Sequence, residues 1–479
     1  MGAPAKVLKL HADVKSNAVY HLVSKHGVSK QCMQHSPKSP ILGCGQGDGD
    51  SPARWQAVST PLLRTYEQHA HPFTFQAPDP TQTVAVHMTT FVDDAQSVVS
   101  YQPPSKANTE EKLLSMVQEN SSLWAQIVNV AGQKLEISKC EVVPIIWEHD
   151  CDGTGTLVQP QQKSITITCP ETGKQEHIVV HSASEACKQM GIWSRGDLDE
   201  LSHFRYLMDK SEHVAKAVST SGIRGFHAHL CRSACWIPML QYSLSATWLS
   251  EDQCSQIQQP ATRVFLTLMG INRSLPTAIV YGPTHFGGLG FRHLYCVQGT
   301  RVLKWIISHV RHETQLSKQF LVVLAAYQLR LGTSPPALED SREHSHVSLP
   351  ILDQLRLYLG KVNGTLSLHP AWQPALPRQG DAFLMELFLD MGLTAKELAI
   401  VNHVRMYLQV MFLSDICNES GTVLPAARVQ PSKASDEPPL WQTSCSTLIY
   451  SFFFKSFCKA TGKTRKLASA TQKFHPPVD

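Results

Sequence analysis

Asp93 and Asp94 stand side by side in the run Met88-Thr89-Thr90-Phe91-Val92-Asp93-Asp94-Ala95-Gln96-Ser97. Adjacent carboxylates repel each other unless a cation neutralises them. A hard divalent ion such as Mg²⁺ binds oxygen ligands and keeps positions open for substrate phosphates. Metal-assisted phosphate chemistry is therefore the reading with chemical content, and a solvated Asp-Asp turn is the plain alternative. Val84, Val86 and Met88 alternate before the pair and Val98 and Val99 follow it. That pattern predicts a β-hairpin with the two carboxylates at its turn.

A second segment lies upstream, Pro40-Ile41-Leu42-Gly43-Cys44-Gly45-Gln46-Gly47-Asp48-Gly49-Asp50-Ser51-Pro52-Ala53-Arg54-Trp55. Its clustered glycines, then Ser-Pro, then a helix-compatible stretch predict a loop feeding a helix start. Such a start presents free backbone N–H groups and favours anions, including nucleotide phosphates. For the glycines alone, an ordinary surface loop explains as much.

In this order the segments resemble the palm of reverse transcriptases. The run Gln46-Gly47 to Ser51-Pro52 resembles the family's second palm motif, and Phe91-Val92-Asp93-Asp94 resembles its aromatic-x-Asp-Asp motif, with Phe91 where Tyr is commoner. Leu135-Glu136-Ile137-Ser138-Lys139-Cys140 is similar to the fourth motif, a lysine after a short strand. Lys188-Gln189-Met190-Gly191-Ile192-Trp193 resembles the segment near the primer grip. Gly282-Pro283-Thr284-His285-Phe286-Gly287-Gly288-Leu289-Gly290 resembles the Gly-Gly-Leu-Gly segment found behind the polymerase in many non-LTR retroelement proteins. The likeness runs from about residue 27 to about residue 430 and is strongest for elements of algae and fungi.

The resemblance implies an RNA-directed DNA polymerase using Mg²⁺ or Mn²⁺, with an RNA template, a DNA primer and dNTPs as partners. Nucleotide addition is an in-line displacement at phosphorus, with two metals holding the attacking hydroxyl and the leaving pyrophosphate. Asp93 would bridge the metals and Asp94 would hold or orient them. Gln46, Gly47, Ser51, Pro52, Phe91 and Val92 would line the nucleotide and template pocket, and Lys139 would sit near the departing pyrophosphate. Lys139 also reads as a lysine snorkelling from a strand end. The family carries a further aspartate well upstream of the glycine loop. Here 42 residues precede Gly43 and Asp13 is their one acidic residue, in Leu10-His11-Ala12-Asp13-Val14-Lys15-Ser16. Asp13 is thus the candidate third metal ligand, with a solvated turn aspartate as the alternative. The short upstream stretch reads as a retroelement frame truncated or misjoined at its N-terminal side. The competing function is then a catalytically inactive fragment that at most binds nucleic acid.

Composition sets looser bounds. The 479 residues suffice for several domains, and the net charge of +4, from 43 Lys+Arg and 39 Asp+Glu, is mild for a protein gripping two backbones. Thirteen cysteines without a Cys-x-x-Cys pair fit reduced thiols, hence a nucleus or cytoplasm, with no secretion and no myristoylation motif. The longest apolar stretch, 320–327, is too short to span a bilayer, so no membrane partner is expected.

The fold class expected is α+β, a right-hand polymerase palm remnant over residues 1–205, a helical thumb and connection over 206–335, and a helical region over 336–435. A mostly disordered basic tail over 436–479 completes the chain. Asn108-Thr109-Glu110-Glu111 reads as a capping box opening a helix that Gly132 ends, with Leu113, Met116, Val117, Leu123, Trp124, Ile127 and Val128 as its core face. Lys139 is placed on the following strand. Ser164–Thr168 and Ile178–Val180 read as a hairpin around Pro170-Glu171-Thr172-Gly173. Leu384, Met385, Leu387, Phe388 and Met391 read as core. Lys210, Lys216, Arg224, Arg232, Arg263 and Arg273 are candidates for the phosphates of a primer–template duplex, or a solvated face. His227, Cys231 and Cys235 share a helical face, but a structural zinc wants four ligands and no partner segment is evident. The four sequons, at Asn120, Asn272, Asn363 and Asn418, carry no argument without a secretory signal. No endonuclease or RNase H constellation stands out.

Overall fold

A computed structural model describes residues 6, 9, 13–14, 16–24, 27–34, 36, 51–79, 82–91, 94–101, 109–149, 155–377, 380–416 and 453, with backbone only for 22, 24, 51–54 and 149. The architecture is mixed α+β, small sheets first and helices after.

The strands are β1 (Val19–Ser24), β2 (Gly27–Gln34), β3 (Phe73–Gln76), β4 (Thr83–Val86), β5 (Met88–Phe91), β6 (Asp94–Ser97), β7 (Glu141–Val142), β8 (Trp147–His149), β9 (Gly155–Leu157), β10 (Ser164–Thr168), β11 (Gln175–Val180), β12 (Cys187–Gln189) and β13 (Ile192–Ser194). Those of the described residues pair as five two-stranded hairpins and one three-stranded sheet of order β10-β11-β7. The longer helices are α1 (Ser51–His69), α2 (Thr109–Val130), α3 (Leu201–Thr220), α4 (Glu251–Leu268), α5 (Leu294–Arg311), α6 (Gln315–Leu331), α7 (Pro350–Lys361) and α8 (Ala395–Leu408).

Helix α1 begins at the Ser-Pro step, as its sequence predicts. Helix α2 buries Leu114, Trp124, Ala125 and Val128, and Gly132 at φ +74° ends it while its N–H returns to the Asn129 carbonyl. Only glycine holds that left-handed conformation without a Cβ penalty. Asn108 lies outside the described residues. Glu110 spends its side chain elsewhere, accepting the Gln161 and Gln162 N–H groups at 2.8 and 3.0 Å. The expected β10–β11 hairpin forms, Ser164 opposite Val179 and Thr168 opposite Gln175, with Ile165, Ile167, Ile178 and Val180 buried against Leu114 and Ile137. Strand alternation put those four side chains on one face.

One sequence reading is overturned here. Lys139 does not ride a strand: Ile137–Lys139 is a 3₁₀ turn, closed by Lys139 and Cys140 N–H bonds to the Glu136 and Ile137 carbonyls. Burial of Ile137 curls the backbone, and those local bonds satisfy donors that a strand would offer to a neighbour. The C-terminal tail also contributes to the folded body, because Phe453 is fully buried with its ring 5.5 Å from that of Phe388.

The largest core joins α3, α4 and α5 around Trp236, Phe265, Leu240 and Leu294. The Trp236 indole N–H donates to Ser211 at 3.1 Å, and the Ser211 hydroxyl donates to the Ile257 carbonyl at 2.8 Å. Ser250 and Gln253 close a reciprocal capping box at the start of α4. A second helical core holds α5, α6 and α7 together, and a third gathers 384–389, α8 and Phe453. Leu384, Met385 and Phe388 are buried there, with Leu387 and Met391 packed on them, as read from the sequence.

Glu200, at the start of α3, accepts the Trp248 N–H at 2.6 Å, and burial pushes its carboxyl up to about 7. Its native pKa is raised above the unfolded value, so the native state binds the extra proton between about 4.5 and about 7. Above that window the buried carboxylate is charged and weakens the fold. Glu200→Gln keeps the acceptor for Trp248 and removes the charge. The variant should therefore show a higher urea midpoint than wild type at pH 8, an advantage that fades on acidification and is gone near pH 4.5. An equal midpoint at pH 8 would sink this account.

Candidate nucleic-acid site

The β5–β6 hairpin forms with Phe91 opposite Asp94 and Met88 opposite Ser97. Its open end is fastened to two helices. The Tyr66 hydroxyl of α1 lies 2.6 Å from Ser97 Oγ, and Asn120 of α2 reaches the same oxygen at 3.5 Å. Asn120 also accepts the His71 N–H and donates to the His71 carbonyl, each at 2.9 Å. Met88 packs into the cluster of Tyr66, Trp124 and Val128, where the Tyr66 and Trp124 rings meet edge to face at 5.6 Å. Burial raises the Tyr66 hydroxyl above its usual range, so it remains a neutral hydrogen-bonding group. A hairpin anchored at its base presents its other end outward, and Phe91 and Asp94 are both exposed.

Sequence-predicted site residues fall in several places. Gln46, Gly47, Val92 and Asp93 lie outside the described residues. Ser51 and Pro52 open α1, and backbone alone is described there. Asp94 opens β6 as an exposed carboxylate. Asp13 is exposed, and its carbonyl accepts the Asn17 backbone and side-chain N–H groups at 3.2 and 2.7 Å. No hydrogen bond or ion pair among the described residues joins Asp13 to Asp94. Lys139 is exposed on its 3₁₀ turn, over the Ile137 core rather than the Met88 cluster. Leu135 packs against both cores and spans the two.

The donor set suits one hard cation. Asp94 has no lysine or arginine partner among the described residues, so nothing there neutralises it, and Asp93 adjoins it in sequence. Those two residues would hold Mg²⁺ through carboxylate oxygens, with water or phosphate filling the rest of the shell. Among the described residues no three His, Cys, Asp or Glu side chains gather to hold a metal, His227, Cys231 and Cys235 included.

The helical region, whose cations the sequence reading named as phosphate candidates or a solvated face, has a further feature that reading passed over, a local shortage of carboxylates. Residues 213–312 contain two carboxylates, Glu251 and Asp252, against nine cationic side chains: Lys216, Arg224, Arg232, Arg263, Arg273, Arg292, Arg301, Lys304 and Arg311. This stretch holds 9 of the chain's 43 Lys+Arg and 2 of its 39 Asp+Glu, leaving 34 against 37 elsewhere, so the mild +4 of the whole hides a local excess of seven. Lys216, Arg224, Arg263, Arg273, Arg292, Lys304 and Arg311 are exposed. Glu251 is partly neutralised by its ion pair with Lys361. A charge count by region, rather than of the chain, is the signal that finds this excess.

Arg232 is the exception and corrects the sequence reading. It is buried, its guanidinium 3.7 Å from the Phe291 ring centroid and 5.3 Å from that of Trp236, and its Nη2 donates to the Arg292 carbonyl at 3.3 Å. Burial pulls its pKa down to about 10, so it stays charged, but it holds the core instead of facing phosphate.

No protein-family model matches the chain, and no curated protein matches it. No helix among the described residues is long and apolar enough to cross a membrane.

Proposed function

We propose that this chain is a reverse-transcriptase palm and thumb whose function is to hold a primer–template duplex. The observation that carries the reading is the cationic excess of residues 213–312, with two carboxylates against nine Lys and Arg, seven of those cations exposed. A duplex brings two rows of phosphates, and each cation set against them releases condensed counterions, which supplies affinity without regard to sequence. The palm motifs support the same reading from the other end of the chain. Asp94 stands exposed on a hairpin clamped to α1 and α2, and α1 begins at the Ser-Pro step that follows the glycine loop.

That clamped hairpin favours a second reading, in which nucleotide addition survives. Asp93 and Asp94 would hold a divalent ion there, and the ion when bound would neutralise charge on the transferring phosphoryl group. The chain's own residues supply the anchoring: Tyr66 and Asn120 fix the base of the hairpin, and with it the carboxylates at the other end.

Purified full-length protein should bind an RNA–DNA primer–template, weakening steeply as salt rises. Extension of the primer with Mg²⁺ or Mn²⁺ separates the two readings. Extension that falls by about 10²-fold or more in Asp93→Asn establishes the second. Binding without extension, and with affinity unchanged in Asp93→Asn, leaves the first. A folded protein that neither binds nor extends the duplex refutes both.

A further inference from the structure

The Gly-Gly-Leu-Gly segment has no role in the duplex grip or at the hairpin, and its geometry is unusual. Gly287 sits at φ +81°, and Gly288 backs so closely on Gly282 that a Cβ there would meet the Gly282 carbonyl oxygen at 2.2 Å. The turn crosses its own backbone, and the Gly290 N–H closes it on the Gly282 carbonyl at 2.8 Å. This tight knot carries Phe286 at its tip, 82% exposed, with the His285 ring 4.1 Å away. The neighbouring segment 226–231 carries a similar pair. Phe226 is 72% exposed, and its ring lies 6.2 Å from that of His227. The two segments adjoin through Phe291, which follows the knot and lies 6.0 Å from the His229 ring.

Large rings left in water are unfavourable for the isolated fold, and here two of them lie in a stretch of chain, 213–312, that holds only two carboxylates. Arg224 and Arg292, both exposed, flank the two segments in sequence. Exposed rings with cations near them in the chain match unpaired bases on an anionic backbone. In a duplex the base faces are already covered by their neighbours, so such rings find nothing to stack on.

We propose that segments 226–231 and 282–290 together form a stacking platform for single-stranded nucleic acid, separate from the duplex grip. The platform builds on the cationic surface of the functional reading above, yet its rings, not its charges, define it. Unpaired template beyond a primer terminus is the chemistry it would take.

The test uses fluorescence anisotropy with the full chain and labelled oligonucleotides of about 20 nucleotides: oligo-U RNA, oligo-T DNA and a blunt duplex. Wild type should bind at least one of the single strands. The Phe226→Ala/Phe286→Ala double variant should bind that strand roughly tenfold more weakly or worse, while its duplex affinity stays within about twofold. The Phe226→Tyr/Phe286→Tyr variant keeps both rings and should bind as wild type. Both Phe positions are exposed, so melting temperatures should match, and a matched melting curve accompanies each variant. Single-strand binding by the alanine variant within about twofold of wild type overturns the platform. So does wild-type binding to anionic lipid vesicles but to neither single strand. Loss of duplex binding with single-strand binding kept would sink the palm-and-thumb reading and leave the platform standing.

Discussion

Arg405→Ala should cost about 3–5 kcal/mol of stability, enough to unfold the C-terminal helical unit or the whole chain under mild denaturant. Arg405 is completely buried. Its Nη2 donates to the Leu329 carbonyl at 2.7 Å, the Arg330 carbonyl at 3.2 Å and Asn402 Oδ1 at 2.8 Å. Its Nε reaches the same Asn402 oxygen at 3.0 Å. Burial pulls its pKa down to about 9, so it is still charged at neutral pH. Removing it strands the last carbonyls of α6 and leaves a void beside Gly332, whose added Cβ would lie 2.8 Å from Arg405 Cζ. Arg405→Met separates the two losses, because it fills the void and still strands the carbonyls. Urea unfolding followed by circular dichroism should order the proteins wild type, Met, Ala. A methionine variant more stable than wild type would show that burying the cation costs more than its hydrogen bonds return.

The second large effect is on binding. The triple variant Arg224→Gln, Arg273→Gln, Arg292→Gln removes three exposed cations from the region and touches no core residue. If each meets a phosphate, the slope of log affinity against log salt should fall by about three. Counterion release then gives a loss of roughly 10³-fold in duplex affinity near 50 mM salt, shrinking as salt rises. Affinity within about threefold of wild type across that salt range would remove this surface from the duplex interface.

What the sequence revealed and what it hid follow from the range of the forces involved. The β10–β11 hairpin was legible because strand alternation and a Pro-Glu-Thr-Gly turn act within a few residues. Helix α2 was legible for the same reason, with apolar spacing along it and Gly132 at its end. The β5–β6 hairpin was legible in part: strands do flank the carboxylates, but Val84 and Val86 belong to β4 and pair with β3, Val98 and Val99 lie beyond β6, and Asp94 joins the return strand instead of the turn. Lys139 was misplaced because Ile137 is drawn into a core made by β10 and β11, residues well beyond any local window. Arg232 passed for a phosphate contact because its ring partner Phe291 is distant in sequence. Reach also explains what the functional reading lacked. Asp13 and Lys139 were assigned to one centre by resemblance, and no described contact brings either to Asp94. The cationic stretch, in contrast, was written in the sequence all along, as missing carboxylates rather than added cations.

The buried ring of Phe453 has a consequence for the order of events during synthesis. It fills the core formed by 384–389 and α8, which precede it in the chain by several dozen residues. The hairpins and α3–α6 pack in cores that do not include Phe453 and can settle before it is made, N-terminal parts first. The last unit has to wait until residue 453 is made. Until then its apolar face, Leu384, Met385, Phe388 and Val401 among others, stays open. A product released before residue 453 would keep its cationic surface and carry an unplugged hydrophobic socket, which marks it for aggregation or removal.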